Sequence, residues 1–354
     1  MKKVIFVTVS MRGGGTERVI SILANRMVTL GYDVNIVMIA EPIIEYKLDK
    51  KVRTICVSNA TGGSLIGRIK RIFNMRKEFL KDKSAKIISM GTVANMFTVL
   101  AAFGLKNSVT LSERNDPNRL NHRPIKIYEV WLRNALYKQA DKIVLQTPDV
   151  LEYFPRSVRK KCVVIPNPIP SDMPIPMMID EREKTILTAG RLTEQKNHKM
   201  LLEVFAKFSQ QFPEYHLNIF GRGELEETLA ELIQSLQLGD KVIMRGFCDN
   251  LYAELGKGGI YVSTSDWEGI SNSLLEALAM GIPTVATDCP MGGSRMCIED
   301  GVNGYLIPVK DEEALLQRLV RLASDNKLCV ALSENAMKIR ENFSEVTIIK
   351  RWLE

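Results

Sequence analysis

The chain has 354 residues, 45% of them hydrophobic, a mean hydropathy of −0.04 and a formal net charge of +7. That length accommodates two α/β domains with sizeable cores. The sequence has no run of about 18 apolar residues, which excludes a spanning helix, and its three histidines argue against a histidine-rich metal site.

The six cysteines are scattered without a C-x-x-C spacing and fit a reduced, cytoplasmic protein. The net charge hides a division. Residues 1–170 carry 29 Lys and Arg against 13 Asp and Glu, a net +16, whereas residues 171–354 carry 19 against 28, a net −9. A basic half joined to an acidic half implies that the first faces polyanions; charge alone admits anionic lipid or nucleic acid.

Lys3–Ser10 reads as a first buried strand. Its basic edge is signal-like, but the apolar run is short and leads straight into Gly13-Gly14-Gly15. Short apolar runs follow at Asp33–Ala40, Val52–Val57, Lys86–Met90, Ser108–Ser112 and Lys142–Gln146. Helical patterns fall between most of them, such as Thr16–Leu30, Leu65–Leu80 and Ile125–Lys138. The alternation predicts a parallel sheet covered on both faces. Residues 165–176 hold five prolines in twelve positions and read as an interdomain linker. Strand signals resume at Lys184–Ala189, Tyr215–Phe220, Lys241–Arg245, Gly259–Ser263, Pro283–Thr287 and Gly304–Ile307, and the tail from Asp311 reads as helical. The predicted domains are therefore 1–166 and 184–342, with 167–183 as linker and a last helix, about 343–354, packing back on the first domain.

One segment carries most of the chemistry: Asp266-Trp267-Glu268-Gly269-Ile270-Ser271-Asn272-Ser273-Leu274-Leu275-Glu276-Ala277. Glu268 closes a turn after a buried strand. Glu276 lies just over one turn into a helix opening near Ser271, where Ser271, Asn272 and Ser273 supply capping chemistry and the first amides form an anion site. Two carboxylates beside an amide cradle suit a ligand with hydroxyls and phosphates, such as a nucleotide-sugar. Glu276 reads equally as a surface helix residue, although Leu274, Leu275, Ala277 and Leu278 put it at a partly covered edge. Arg191 and Lys196 share the loop after the strand ending near Ala189, where ligands bind in parallel sheets. There they neutralise a diphosphate leaving group, or are simply solvated surface charges. Gly13-Gly14-Gly15 between strand and helix allows close approach of a phosphate or sugar, or is only a tight turn. It matches neither the Walker pattern nor G-x-G-x-x-G. Gly221-Arg222-Gly223 reads first as a turn that needs glycine.

The segment resembles the E-x7-E motif of retaining glycosyltransferases of family GT4. The resemblance spans the chain, through Gly13-Gly14-Gly15-Thr16-Glu17-Arg18, Ala189-Gly190-Arg191-Leu192-Thr193-Glu194-Gln195-Lys196-Asn197, Phe220-Gly221-Arg222-Gly223, Arg245-Gly246-Phe247 and Asp300-Gly301-Val302-Asn303-Gly304-Tyr305-Leu306. It implies an α/β GT-B fold, two Rossmann-like domains with parallel sheets facing across a cleft. It also implies retaining transfer from a UDP-linked sugar to a saccharide acceptor carried on undecaprenyl diphosphate, in capsule, exopolysaccharide or O-antigen assembly. By the resemblance Arg191, Lys196 and Glu268 are catalytic, Glu268 facing the transferred sugar. Gly14, Gly15, Gly190, Gly221, Phe247, Ile270, Ser271, Asn272, Ser273 and Glu276 bind the donor, with Glu276 on the ribose. Glu17, Glu113 and Arg114 lie on the acceptor side. No cofactor or metal is expected, since no Asp-x-Asp pair occurs and Arg191 and Lys196 can do a metal's electrostatic work.

The chain departs from the family in one loop. Many relatives carry a histidine where this sequence has Glu113 and Arg114, and His122, beyond Pro117, reads as a surface residue. Arg114 is a candidate ligand for the donor sugar or an acceptor phosphate, or the partner of Glu113 or Asp116 in a salt bridge. Two basic amphipathic stretches, Gly67–Lys86 and Arg123–Lys142 with Trp131, point to peripheral contact with anionic lipid on the inner face of the plasma membrane; most of their apolar residues are expected in the core. The rival readings are a nucleotide-sugar epimerase of similar build, a nucleic-acid-binding protein, which no RRM, zinc-finger or basic-zipper signature supports, and a silent sugar-binding scaffold.

Overall fold

In a computed structural model that describes residues 2–58, 64–120, 123–248 and 250–354, the chain forms two units. Residues 1–168 and 345–354 make the first, and residues 169–344 the second. His122 lies outside the described residues.

The first unit carries strands β1 (Lys3–Thr8), β2 (Asp33–Met38), β3 (Arg53–Cys56), β4 (Lys86–Met90), β5 (Val109–Ser112), β6 (Arg119–Leu120), β7 (Arg123–Pro124), β8 (Lys142–Leu145) and β9 (Cys162–Val164). Seven of them form a parallel sheet in the order β3-β2-β1-β4-β5-β8-β9; β6 and β7 form a short antiparallel pair. The central strands are near-continuous apolar runs because both faces of the sheet are covered. Val4 and Phe6 share one core with Val19, Ile20, Leu23, Ala24 and Met27 of the helix Gly15–Thr29. Ile348, Ile349 and Trp352 of the last helix, Glu345–Leu353, complete that core. Lys86 Nζ donates to the Trp352 carbonyl at 2.7 Å, and Arg351 Nη2 donates to the Val164 carbonyl.

The second unit repeats the plan with β10 (Glu183–Ala189), β11 (His216–Phe220), β12 (Val242–Gly246), β13 (Gly258–Ser263), β14 (Thr284–Thr287) and β15 (Tyr305–Ile307). The order is β12-β11-β10-β13-β14-β15, all parallel. One face is covered by the helix His198–Gln211, whose Leu201, Leu202, Val204, Phe205 and Phe208 enter the core with Leu315, Leu319 and Leu322 of the helix Glu312–Ser324. Truncating Phe205 to Ala there costs about 3–5 kcal/mol. Strand order reverses at β10/β13 here and at β1/β4 in the first unit. The carboxyl ends of those strand pairs are the switch points where ligands of such sheets bind.

The proline-rich segment is less free than its composition suggests. Asn167 is buried in the first unit. The Ile169 amide donates to the Phe343 carbonyl at 2.7 Å, and Ile169 joins a core with Leu275 and Leu278 in the second. The helix Leu65–Leu80 corrects a second expectation. It buries only Gly67, Met75 and Phe79, while Leu65, Ile66, Ile69 and Phe73 are exposed. It packs mainly on the helix Thr92–Ala102, and a single narrow stripe is buried.

Candidate functional site

Two loops at the switch point of the second sheet are stitched together. The loop after β10 runs through Gly190 and Arg191 to a short turn at Glu194–Lys196, and Asn197 then adopts a left-handed conformation with φ 46°. From the loop after β13, Asp266 donates its amide to the Gln195 carbonyl at 2.9 Å and accepts from Asn197 Nδ2 at 2.9 Å. Gln195 Nε2 donates to the Trp267 carbonyl at 2.8 Å, and Thr264 Oγ1 to the Lys196 carbonyl at 3.0 Å. These ties set Lys196 Nζ 2.5 Å from Glu268 Oε2, with side chains only 14% and 18% exposed; Ser265 Oγ donates to the same oxygen at 2.8 Å. Arg191, in the same loop, is exposed.

The backbone beneath this pair is closely packed. A Cβ on Gly190 would meet Lys196 Cε at 2.8 Å, and one on Gly221 would lie 1.9 Å from the Gly190 carbonyl oxygen. The Gly221 amide donates to the Gly246 carbonyl at 2.8 Å, which brings the turn carrying Phe247 alongside.

The helix Asn272–Ala279 follows, with Ser271 at its N-cap. The expected side-chain cap is not made. Ser271 Oγ lies 3.1 Å from Ser273 Oγ, which accepts from the Tyr261 hydroxyl at 2.8 Å and donates to the Ala189 carbonyl at 2.8 Å. The Ser273 hydroxyl thus ties helix to sheet, and what its turn offers a ligand is backbone amide. Ile270 is buried and Asn272 half-buried. Glu276 is only 6% exposed, deeper than a partly covered edge, and its Oε1 accepts from the Tyr252 hydroxyl at 3.1 Å. Neither Tyr252 nor Gln195 stands out in the sequence, because their partners lie 24 and 72 residues away. His198 is also buried beside this site, its Nδ1 without a partner among the described residues. Burial first and Lys196 second lower its pKa to about 3.

In the first unit, Gly14 caps the helix Gly15–Thr29. The Gly13 amide donates to Glu45 Oε2 at 2.5 Å, and the Tyr46 hydroxyl donates to the Gly14 carbonyl at 3.0 Å. Glu17 folds back so far that a Cβ on Gly14 would lie 2.3 Å from its Oε2. The glycine turn expected near phosphate is thus held by the Glu45 carboxylate, with the Glu17 carboxylate close beside it.

Glu113, expected on the acceptor side, is buried in a hydrogen-bond network. It is 2% exposed, accepting from the Tyr137 hydroxyl, Thr92 Oγ1 at 3.0 Å and Asn95 Nδ2 at 3.2 Å. Burial raises its pKa against the opposing pull of Arg133 and these hydrogen bonds. Arg114 pairs with neither Glu113 nor Asp116; its Nη2 donates to Asn167 Oδ1 at 2.5 Å. Among the described residues no cluster of three or more His, Cys, Asp or Glu is arranged to hold a metal ion, and no helix is long and apolar enough to cross a membrane.

Two Rossmann-like parallel-sheet units, with loop cations and carboxylates gathered at the switch point of the second, have the build of the GT-B fold. The model of glycosyl transferases group 1 matches residues 176–339, and that of glycosyltransferase family 4 matches residues 13–172. The chain belongs to this family, glycosyltransferase family 4 of group 1. It is similar to two Campylobacter jejuni enzymes. One is the N-acetylgalactosamine-N,N'-diacetylbacillosaminyl-diphospho-undecaprenol 4-alpha-N-acetylgalactosaminyltransferase, 26% identical over 99% of this chain and 98% of that one. The other is an alpha-1,4-N-acetyl-D-galactosaminyltransferase acting on a GalNAc-containing diNAcBac-PP-undecaprenol, 27% identical over 100% of this chain and 98% of that one. Among solved structures, Anabaena HepE in complex with UDP and glucose aligns with a TM-score of 0.86 at 17% identity, covering 100% of this chain and 98% of that one.

Proposed function

We propose that this chain is a retaining glycosyltransferase that moves a sugar from a UDP-linked donor to a lipid-linked saccharide in surface polysaccharide assembly. The observation that carries the reading is the Lys196–Glu268 pair at the second sheet's switch point, beside the helix bearing Glu276. The named substrates of the Campylobacter relatives support the acceptor class, and the UDP in the HepE complex supports the donor nucleotide. In this reading Arg191 and Lys196 bind the diphosphate and stabilise its charge as the bond from sugar C1 to phosphate oxygen breaks. Glu268 orients the sugar, and Glu276 accepts from the ribose hydroxyls. The acceptor hydroxyl attacks C1 from the face the diphosphate leaves, and its proton passes to the departing phosphate oxygen. The protein supplies positioning and charge rather than a hydrolytic carboxylate pair, and no metal is required.

The test incubates the protein with a panel of UDP-sugars and undecaprenyl-diphosphate saccharides and reads the product's anomeric configuration by NMR. A product with the donor's configuration at C1 is expected. An inverted linkage would overturn the retaining mechanism, and conversion of the donor sugar without acceptor would favour an epimerase. We further infer peripheral binding to anionic lipid through the first unit. Exposed Ile127, Trp131, Leu65, Ile66 and Phe73 among cations favour lipid over nucleic acid.

A further inference from the structure

Arg114 stands two residues beyond the end of β5, and its guanidinium is under-satisfied. Nη2 donates to Asn167 Oδ1 at 2.5 Å, whereas Nε and Nη1 are buried and have no hydrogen-bond partner among the described residues. Asn167 Oδ1 is already shared, since it also accepts from Gln146 Nε2 at 2.7 Å. The neighbouring carboxylates do not quench the charge by contact. Glu113 is turned to Tyr137, and the Asp116 carboxylate lies 3.8 Å from Arg119 Nε. Burial lowers the pKa of Arg114 to about 10, with Glu17 acting in the opposite sense, so the group stays cationic at neutral pH. A buried cation with idle donors is costly to keep, and Arg114 has two such donors on one guanidinium.

The surroundings indicate what those donors await. Glu17 follows β1, Gln146 follows β8 and Asn167 follows β9, so four strands bring polar groups to the carboxyl edge of one parallel sheet, where ligands bind. We propose that Arg114 is an anion-recognition residue of the first unit, placed to take a phosphoryl group of a substrate on the donors that are idle in this structure. That the anion is phosphoryl rests on the glycosyl-transfer reading, in which donor and acceptor both carry a diphosphate. Phosphoryl oxygens offer enough acceptors to satisfy Nε and Nη1, and guanidinium suits them better than ammonium does.

The test titrates inorganic pyrophosphate into the full chain by calorimetry, with and without saturating UDP, for the parent, Arg114→Gln and Arg114→Lys. Pyrophosphate should bind the parent and raise its melting temperature. Arg114→Gln should weaken binding by about tenfold or more without lowering the melting temperature of the free protein. Arg114→Lys keeps the charge but not the fork; it should fall between them and serves alone if the Gln variant does not fold. Binding alongside UDP assigns the site to the acceptor's diphosphate. Competition with UDP, together with an equal loss of UDP affinity in the variants, assigns it to the donor's. Parent-like pyrophosphate binding by the variants, or none by the parent, overturns the proposal. The readout needs no turnover, so failure here leaves the transferase reading standing. Absent transfer with intact pyrophosphate binding would overturn that reading alone.

Discussion

Lys196 Nζ and Glu268 Oε2, 2.5 Å apart, close an ion pair between the loops after β10 and β13. Both side chains are largely buried, so removing either leaves the other charge exposed to the full cost of desolvation. The pair also holds two groups with different proposed tasks in one resting arrangement, and in the proposed reading a diphosphate would compete with Glu268 for the ammonium. Lys196→Ala and Glu268→Gln should each lower kcat/KM about a hundredfold or more. Because the residues are coupled, the double variant should lose far less than the product of the single losses. Steady-state rates for the four proteins check this. Near-normal transfer by a folded double variant would remove the pair from the mechanism.

Glu276 should govern nucleotide affinity rather than the chemical step. Its carboxylate is anchored by the Tyr252 hydroxyl at 3.1 Å, on a short helix packed on both flanks. Glu276→Gln should weaken UDP binding by about tenfold, and Tyr252→Phe by a smaller factor, through loss of the anchor alone. Titration calorimetry separates the two; unchanged UDP affinity in Glu276→Gln would place the ribose elsewhere.

Much of this was legible in the sequence because parallel sheets write their strands as short apolar runs. Lys86–Met90 and Leu65–Leu80 were read to the residue, and the other named strands to within two residues at either end. β9 was missed because its three residues are only partly buried and run into the proline segment. The E-x7-E segment and the loop of Lys196 were visible as motifs, but their pairing was not, since it joins residues 72 apart. Glu113 and Arg114 show the limit most plainly. Adjacent in sequence, one turns into a network with Tyr137 and the other toward Asn167, a choice made by packing that no local pattern encodes.

His198 should make stability fall in mild acid. The unfolded imidazole takes up a proton below about pH 6.5, while burial holds the folded one neutral down to about 3. The unfolded state therefore binds more protons between those limits, and stability rises with pH across that window. It is complete above 6.5 and lost as pH falls, by about 2 kcal/mol at pH 5. His198→Gln should flatten this part of the profile. Urea midpoints at pH 5 and pH 7.5 read the difference, and parallel shifts in parent and variant would mean the imidazole is not held neutral.

Metal independence follows from assigning the diphosphate charge to Arg191 and Lys196. Transfer should persist in excess EDTA and should not rise on adding magnesium or manganese. Loss of activity in chelator with recovery on either ion would show that the two cations do not suffice.

The proposed docking face on lipid can be tested by parts. The helices Leu65–Leu80 and Ile127–Tyr137 both pack against Thr92–Ala102, so their outer faces belong to one side of the first unit. That side exposes Ile127 at 88%, Trp131 at 73%, Leu65 at 72% and Phe73 at 60%, among Arg68, Lys70 and Lys77. Each cation near an anionic surface contributes about 1 kcal/mol, and each apolar side chain fully withdrawn from water about 1.5–3 kcal/mol. Not every cation of the stretch is available. Arg76 Nη1 donates to the Ala101 and Phe103 carbonyls at 3.0 and 2.7 Å, capping the end of the neighbouring helix, so replacing it would damage the fold. Neutralising Arg68, Lys70, Arg71 and Lys77 should release the protein from anionic vesicles, and high salt should mimic the change. Replacing Ile127, Trp131 and Phe73 with Ser should weaken binding by a component that salt does not touch. Both variants should retain transfer to a water-soluble acceptor mimic. Co-sedimentation with anionic and neutral vesicles reads the outcome. Parent-like binding by both variants would move the docking face elsewhere, and a parent that ignores anionic vesicles would end the membrane reading while leaving the transferase reading intact.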